Sequence, residues 1–229
     1  MQDADTVYWN REHWIASTDF YKRPYLRLEK CASIVNRLAG TGEIDLLDIG
    51  CGPATLAGHL NANIRYHGID IAIHEPAANL IEMDVTQERI RFRNKRFDLI
   101  VAAGLFEYLG TFQRRKLREI HHLLKENGRF VVTFTNFAHV HPPLQEPIYN
   151  NTISIRAFLD DLQVFFSVER YFPSSHNWVR REPRRRWLRW MNMSFSANIP
   201  FVSHMLACNY FFICSHKRPS ERRRSEPVL

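Results

Sequence analysis

Short apolar runs alternate with polar, helix-like segments between residues 44 and 137. Each run is bounded by turn residues and carries few charges, as expected of a strand that is buried in a parallel sheet. The runs predict five strands, at residues 44–50, 65–71, 79–85, 96–104 and 129–137. Because strands alternate with helical segments, right-handed crossovers are expected, and the fold class is a doubly wound, mostly parallel α/β sheet.

The polar segments carry apolar residues at helical spacing, so they predict helices on both faces of the sheet. These helices fall at Pro24–Leu38, at 54–60 and at Arg114–Gly128, whose last glycine is interpreted as a helix stop. The connection between the second and third strands, "AIHEPAANLIE", is short and contains Pro76. The helix expected at that point of a doubly wound fold is therefore reduced or missing.

The pattern is less regular after Pro142, where a helix at 153–163 and two strands at 165–172 and 209–217 are predicted. The chain is expected to have three parts. They are an N-terminal helical segment or lid at 1–42, the α/β domain at 43–217 with a substrate-covering insertion around 138–206, and a basic, disordered tail at 218–229.

The composition is that of a folded globular protein, with 45% hydrophobic and 24% charged residues among 229. The net charge of +7 suggests a nucleic-acid partner, but many of the arginines lie at Arg180–Arg189 and His216–Ser225. The charge therefore says little about the central domain. No run is long and apolar enough to span a bilayer, the N-terminus is too polar for a signal peptide, and the four cysteines form no CxxC pair. We therefore expect a cytoplasmic protein without a bound metal.

The segment "EIDLLDIGCGPATLAGHL" places a glycine turn at the end of the first strand, where open parallel sheets bind ligands. A nicotinamide cofactor would require G-x-G-x-x-G, but Thr55 stands where the third glycine should be. Asp48 precedes the first glycine and would repel a pyrophosphate. The turn therefore favours a ligand that is cationic or hydroxyl-bearing and that lets the backbone approach closely.

Further acids follow the same strand-end pattern. Asp70 ends the second strand, where an acidic side chain binds ribose hydroxyls, and Asp84 and Val85 end the third, where they could meet an adenine ring. Together they describe a nucleoside site without phosphates. Each has a structural alternative: Asp48 could cap a helix, and Asp98 is interpreted as a turn residue.

Five motifs in this order, "LLDIGCG", "GID", "EMDV", "FDLIVAAGLFEYL" and "LLKENGRFVVTF", resemble those of class I S-adenosylmethionine-dependent methyltransferases. The resemblance implies a seven-stranded sheet with a reversed final hairpin and S-adenosylmethionine as the cofactor. It implies that Asp48, Gly50 and Gly52 line the methionine moiety, Asp70 holds the ribose, and Asp84 with Val85 recognises adenine. Cys51, Ile71, Ala103 and Gly104 complete the implied cofactor site. Ala102, Ala103 and Gly104 replace the polar residue that is often seen after the fourth strand.

Methyl transfer requires alignment of nucleophile, methyl group and sulfur, and a base only where the acceptor must lose a proton. Candidates after the fourth and fifth strands are Tyr108, His139 and His141, beside Glu107 and Asn136. Aromatic residues near the start of the chain could form a lid over the cofactor or pack as an ordinary helix; they are Tyr8, Trp9, Trp14, Tyr21 and Tyr25. His121 and His122 are interpreted as structural.

No D/N-P-P-Y/F motif is present, which disfavours methylation of exocyclic base amines. The aromatic and apolar residues of Pro142–Leu206 instead suit a small organic acceptor. The predicted function is methylation of an O or N atom of such an acceptor, in specialised-metabolite biosynthesis by analogy. Two alternatives stay open: an RNA methyltransferase that uses the basic cluster Arg180–Arg189, and a non-catalytic partner protein. Nucleic-acid binding is disfavoured, and the oligomeric state is left open, with a homodimer as one option.

Overall fold

The computed structural model describes residues 14–15, 22, 26–138, 149–176 and 207–216. Its strands are β1 (Ile44–Ile49), β2 (Ile64–Asp70), β3 (Leu80–Glu82), β4 (Phe97–Ala102), β5 (Leu124–Thr135), β6 (Phe166–His176) and β7 (Ala207–His216). Its α-helices are α1 (Leu26–Ala39), α2 (Gln113–Leu123) and α3 (Ile155–Phe165). Short 3₁₀ helices lie at Thr55–His59, Phe106–Tyr108 and Gly110–Phe112.

The strands form one seven-stranded sheet in the order β3-β2-β1-β4-β5-β7-β6. The pairs from β3 to β5 are parallel, and β7 runs antiparallel to both of its neighbours. The predicted doubly wound, mostly parallel seven-stranded sheet with an antiparallel final strand is therefore confirmed. The strand order reverses between β1 and β4, and such a switch point opens a crevice at the carboxyl ends of the strands.

Helices cover both faces of the sheet because consecutive strand residues point to opposite sides. Leu99 and Val101 of β4 pack in one buried cluster with Val35 of α1. Ile100 of β4 packs in the other cluster, together with Leu117 of α2 and residues of α3. Most side chains of β4 and β5 are buried, as the apolar runs predict. Within the described parts of the chain, no helix has the length and apolarity needed to cross a membrane.

Two predicted helices differ from the structure. The segment at 54–60 forms only a 3₁₀ helix, and its first turn follows Ala54 in the left-handed conformation with φ 55°. The helix predicted at Arg114–Gly128 ends at Leu123, and residues 124–128 belong to β5. Gly128 is needed for a close approach between strands, since a Cβ there would lie 2.8 Å from the Asp98 carbonyl oxygen. The reading of this glycine as a helix stop is wrong. Residues 71–79 form no helix, as Pro76 predicts.

Candidate active site

A cavity opens at the carboxyl ends of β1, β2 and β4, at the switch point of the sheet. Every residue that the sequence assigns to the cofactor lines it, namely Asp48, Gly50, Cys51, Gly52, Asp70, Ile71, Asp84, Val85, Ala103 and Gly104. Tyr108, one of the predicted catalytic residues, lines it as well. Segments that are far apart in the sequence are thus brought to one site by the parallel strand order.

The glycine turn after β1 requires glycine at two positions. Gly50 and Gly52 adopt φ angles of 77° and 53°, in the left-handed region that other residues avoid. The amide groups of Gly50 and Cys51 donate to the Ile69 carbonyl oxygen at 2.8 and 3.1 Å, which fixes the turn against the end of β2. The Cβ position of Gly52 has no atom within 4 Å, so its backbone stays open to a ligand.

The Asp70 carboxylate ties the end of β2 to the glycine turn. Oδ2 accepts from the Gly52 amide at 2.8 Å, and Oδ1 accepts from the Ala72 amide at 3.1 Å. Burial raises the pKa of Asp70, and these amide bonds act in the opposite direction. Each carboxylate oxygen can accept more than one hydrogen bond, so both can accept from a ligand while they hold the turn.

Asp48 lies at the floor of the cavity and is only 4% exposed. Its Oδ2 accepts from the Tyr66 hydroxyl at 2.8 Å. Burial, with a further contribution from the negative charge of Asp70, raises the pKa of Asp48 to about 7. The helix-cap alternative is wrong, because Ala54 stands at the N-cap of the following 3₁₀ helix.

The cavity wall near Asp84 is formed by a turn. Side chains of α2 hold this turn in place, and no helix lies between β2 and β3. Asp84 Oδ1 accepts from the amide and the hydroxyl of Thr86, at 2.8 and 2.6 Å. From α2, Arg115 Nη2 donates to the Thr86 carbonyl and Lys116 Nζ donates to the Glu88 carbonyl, both at 2.6 Å. These contacts replace the support that the shortened connection cannot give.

Arg27 of α1 is a cavity residue that the sequence interpretation missed. Its guanidinium group packs against Gly104, where an added Cβ would lie 2.6 Å from Nη1. The Gly104 amide donates to Thr133 Oγ1 at 2.8 Å, so the backbone cannot easily move aside. Small residues at Ala103 and Gly104 thus make room for a cation from α1. The only sign of this arrangement in the sequence is that small residues, and not a polar residue, follow the fourth strand.

Aromatic side chains surround the cavity beyond β4. The ring of Tyr108 makes an edge contact with Trp14 at 5.5 Å between centroids and a tilted contact with Tyr149 at 5.4 Å. Trp14 also lines the cavity, as the lid interpretation expects. The other predicted lid residues, Tyr8, Trp9, Tyr21 and Tyr25, lie outside the described residues.

Glu107 is buried beside this aromatic group. Its Oε1 accepts from the Thr135 hydroxyl at 2.8 Å, whereas Oε2 has no hydrogen-bond partner within the described part of the chain. Burial raises the pKa of Glu107, and the positive charge of Arg27 opposes that shift. Asn151 fixes the loop: its amide donates to the Glu107 carbonyl at 3.0 Å and its Nδ2 donates to the Phe106 carbonyl at 2.9 Å.

The remaining candidates either lie outside the described residues or hold the fold. His139, His141 and the Arg180–Arg189 cluster lie outside the described residues. Asn136 holds β7, since its Nδ2 donates to the Ala207 carbonyl at 2.9 Å. Asp98 accepts from the Asp45 amide and from Lys125 Nζ, which supports a structural role within β4. Among the described residues, no group of three His, Cys, Asp or Glu side chains is arranged to hold a metal ion.

Comparisons with solved structures identify the same fold at low sequence identity. A TehB-like SAM-dependent methyltransferase from Corynebacterium glutamicum is 17% identical, with 91% of this chain and 100% of that chain covered and a TM-score of 0.56. The Burkholderia thailandensis 1,6-didemethyltoxoflavin-N1-methyltransferase, solved with its substrate and S-adenosylhomocysteine, is 14% identical. The match covers 91% of this chain and 87% of the Burkholderia chain, with a TM-score of 0.61.

Among curated proteins, the mouse "Arginine-hydroxylase NDUFAF5, mitochondrial" is 31% identical over 133 residues, which are 53% of this chain and 38% of the mouse protein. The uncharacterized protein MJ1252 of Methanocaldococcus jannaschii is 30% identical over 122 residues, 51% of this chain and 46% of its own length. The chain thus matches less than half the length of these relatives.

A family model described as "Methyltransferase domain" matches residues 22–204, which is most of the chain. The strand order, the glycine turn and the acids at the strand ends are in line with this match. The chain therefore belongs to the class I S-adenosylmethionine-dependent methyltransferase family.

Proposed function

We propose that the protein transfers a methyl group from S-adenosylmethionine to an O or N atom of a small organic acceptor. The observation that carries this proposal is the convergence of the predicted cofactor residues on one cavity at the switch point. The family supplies the cofactor and the reaction type, whereas the acceptor is inferred from the chemistry of this chain.

The donors and acceptors of the cavity fit the cofactor. We assign the ribose hydroxyls to the two oxygens of Asp70, which already hold the glycine turn in place. The turn at Asp84 and the buried Val85 are assigned to the adenine ring. The open backbone at Gly52 suits the methionine moiety, which carries an ammonium and a carboxylate.

The two charged groups near the methionine end have complementary tasks. Asp48 at the cavity floor offers a carboxyl group to the ammonium or sulfonium side of the ligand. Arg27 offers a guanidinium group that matches a carboxylate in a bidentate arrangement. When bound, the cofactor supplies an activated methyl group, and these side chains fix its orientation.

The acceptor side is assigned to the aromatic group beyond β4. Tyr108 lines the cavity, and Trp14 and Tyr149 pack against it, so a flat organic acceptor would lie against apolar rings and away from water. Tyr108, His139 and His141 remain the proposed proton acceptors for an acceptor that must lose a proton. The name of the Burkholderia relative, 1,6-didemethyltoxoflavin-N1-methyltransferase, is in line with this class.

A second candidate function comes from the mouse relative, whose name is that of an arginine hydroxylase. Its match to half of this chain means that the fold and the cofactor site do not by themselves fix the reaction. That name also places the relative in mitochondria, whereas we propose a cytoplasmic location. All four cysteines of this chain are buried free thiols, which suits a reducing compartment such as the cytoplasm.

Calorimetry followed by a transfer assay tests the proposal. Both S-adenosylmethionine and S-adenosylhomocysteine should bind with micromolar affinity, and NAD should not bind. Protein incubated with methyl-labelled cofactor and a library of small amines, phenols and heteroaromatic compounds should then yield labelled product. Binding without labelled product from any acceptor class, together with oxygen incorporation into an arginine peptide, would favour the second candidate. Absence of binding by either sulfur nucleoside would refute both the cofactor site and the proposed reaction.

A further inference from the structure

Three arginines form a regular surface feature between β3 and β4. Arg89, Arg91 and Arg93 are all exposed, whereas Ile90 between them is buried and Phe92 is half-buried. Residues 89–92 lie in no helix or strand and residues 93–94 form a turn, and the alternation places the three arginine side chains on the solvent side of the segment. We call Arg89, Arg91 and Arg93 the arginine strip.

The backbone of the strip is fixed to α2. The Ile90 amide donates to Glu119 Oε2 at 3.0 Å, and Lys116 Nζ donates to both Glu119 Oε2 and the Glu88 carbonyl at 2.6 Å. The Phe92 ring makes an edge contact with Phe97 at 4.9 Å between centroids. The three guanidinium groups are therefore presented by an anchored segment, which lowers the entropy that a partner must remove.

The strip carries a concentrated positive charge. Within the described part of the chain, no ion pair or hydrogen bond engages the side chains of Arg89, Arg91 or Arg93. Glu119, which lines the same groove, is buried and already bonded to Lys116 and to the Ile90 amide. The exposed Glu88 precedes Arg89, and its Oε1 accepts from the Asp84 amide at 3.3 Å. A shallow groove runs between the strip and α2, where the exposed His122 lies on its other side.

We propose that the arginine strip binds the phosphate backbone of a single-stranded nucleic acid. Guanidinium groups bind phosphate oxygens in a bidentate manner, and three exposed guanidinium groups along one groove can each contact a phosphate of a single strand. A protein partner would need buried apolar anchors, but Ile90 is only 3% exposed and Phe92 packs inward. This inference does not depend on methyl transfer.

The test compares two charge-matched variants. In the strip variant, Arg89→Gln, Arg91→Gln and Arg93→Gln are combined; in the control variant, the exposed Arg37, Arg156 and Arg170 are changed to Gln. Binding of a labelled single-stranded RNA of about 20 nucleotides is measured by fluorescence anisotropy at several KCl concentrations. Calorimetry with S-adenosylhomocysteine checks that both variants keep the fold.

Each phosphate contact to a single strand contributes about 0.7 to the slope of log affinity against log salt. The strip variant should therefore lose about 2 from the slope and bind roughly 100-fold more weakly at about 0.1 M salt, whereas the control should keep most of the affinity. Equal losses in both variants, or no RNA binding by the unchanged protein, would overturn the proposal. Poly-glutamate that binds as tightly as RNA and with the same dependence on the strip would indicate an acidic protein partner instead. If the triple variant does not fold, Arg91→Gln alone should lower the slope by about 0.7.

Discussion

The two ends of the cavity are built by different means. At the cofactor end, the acids bond to nearby backbone: Asp70 accepts from an amide 18 residues away and Asp84 from an amide two residues away. At the acceptor end, the contacts join distant parts of the chain. Thr135 bonds to Glu107 and to Asn209 across separations of 28 and 74 residues. The acids of the proposed cofactor end are thus placed by motifs at the strand ends, with further support from α1 and α2, whereas the proposed acceptor end depends on contacts between distant segments.

The comparison implies that the cofactor end should show the larger and more specific responses to mutation. Its acids hold the local backbone and line the cavity at the same time. At the proposed acceptor end, the structure is stabilised by several contacts: Tyr108 packs against Trp14 and Tyr149, and Asn151 donates a hydrogen bond to the Phe106 carbonyl. An aromatic pair is worth about 0.5 to 1.5 kcal/mol, which is less than a hydrogen bond to a charged group at roughly 1.5 to 3 kcal/mol.

The largest expected effect is on the free energy of unfolding, which the ionisation of the buried Asp48 lowers. Its pKa is raised from 3.8 to about 7 by burial, so the folded state binds an extra proton between those values. The free energy of unfolding should therefore fall as the pH rises from about 4 to 8, by at most about 4 kcal/mol. Asp48→Asn should remove this part of the slope, and urea unfolding at several pH values measures it. A variant that keeps the full slope would mean that Asp48 ionises normally.

A second prediction tests the ribose assignment. Asp70→Asn keeps the shape but removes the charge that accepts from two backbone amides and that we assign to the ribose hydroxyls. The affinity for S-adenosylhomocysteine should fall about 100-fold, since hydrogen bonds to a charged group are worth roughly 1.5 to 3 kcal/mol each. Calorimetry measures the change.

The matched control is Asp98→Asn, an acid of β4 that does not line the cavity and that bonds to Asp45 and Lys125. This variant should bind S-adenosylhomocysteine normally. Equal weakening in both variants would show that the loss at Asp70 reflects general destabilisation. Unchanged affinity in Asp70→Asn would remove the ribose assignment.

A third prediction separates the two charged groups at the methionine end. Arg27→Gln should weaken the binding of S-adenosylhomocysteine by about 10-fold to 30-fold, because one charged hydrogen-bonding pair is lost. It should leave the binding of 5′-methylthioadenosine unchanged, because that nucleoside has no carboxylate. Arg27→Lys should restore part of the affinity. If both ligands weaken equally, Arg27 supports the fold of the cavity and does not bind the carboxylate.

The contrast between the two ends also explains how far the sequence could be interpreted. The five parallel strands and the positions of Asp48, Gly50 and Asp70 follow from local patterns, since a strand end and a turn are coded by adjacent residues. The reversed final hairpin followed only from the family resemblance. Arg27 could not be assigned, because only the packing of α1 on the sheet brings its guanidinium to Gly104. The predicted end of α2 is wrong for a similar reason. Gly128 is required by its close approach to the Asp98 carbonyl oxygen, which is distant in the sequence, and not by the end of a helix.

The smallest expected effect is at Trp14, which contributes packing at the acceptor end. Its ring contacts Tyr108 at the edge of the cavity, and such aromatic pairs are worth about 0.5 to 1.5 kcal/mol. Trp14→Ala should therefore weaken S-adenosylhomocysteine by only about threefold, whereas Trp14→Phe should bind it normally. Quenching of tryptophan fluorescence by the ligand should also shrink in both variants if the ring covers the site. A loss as large as that of Asp70→Asn would contradict the division between a bonded cofactor end and a packed acceptor end. Trp14 would then belong with the residues that hold the cofactor.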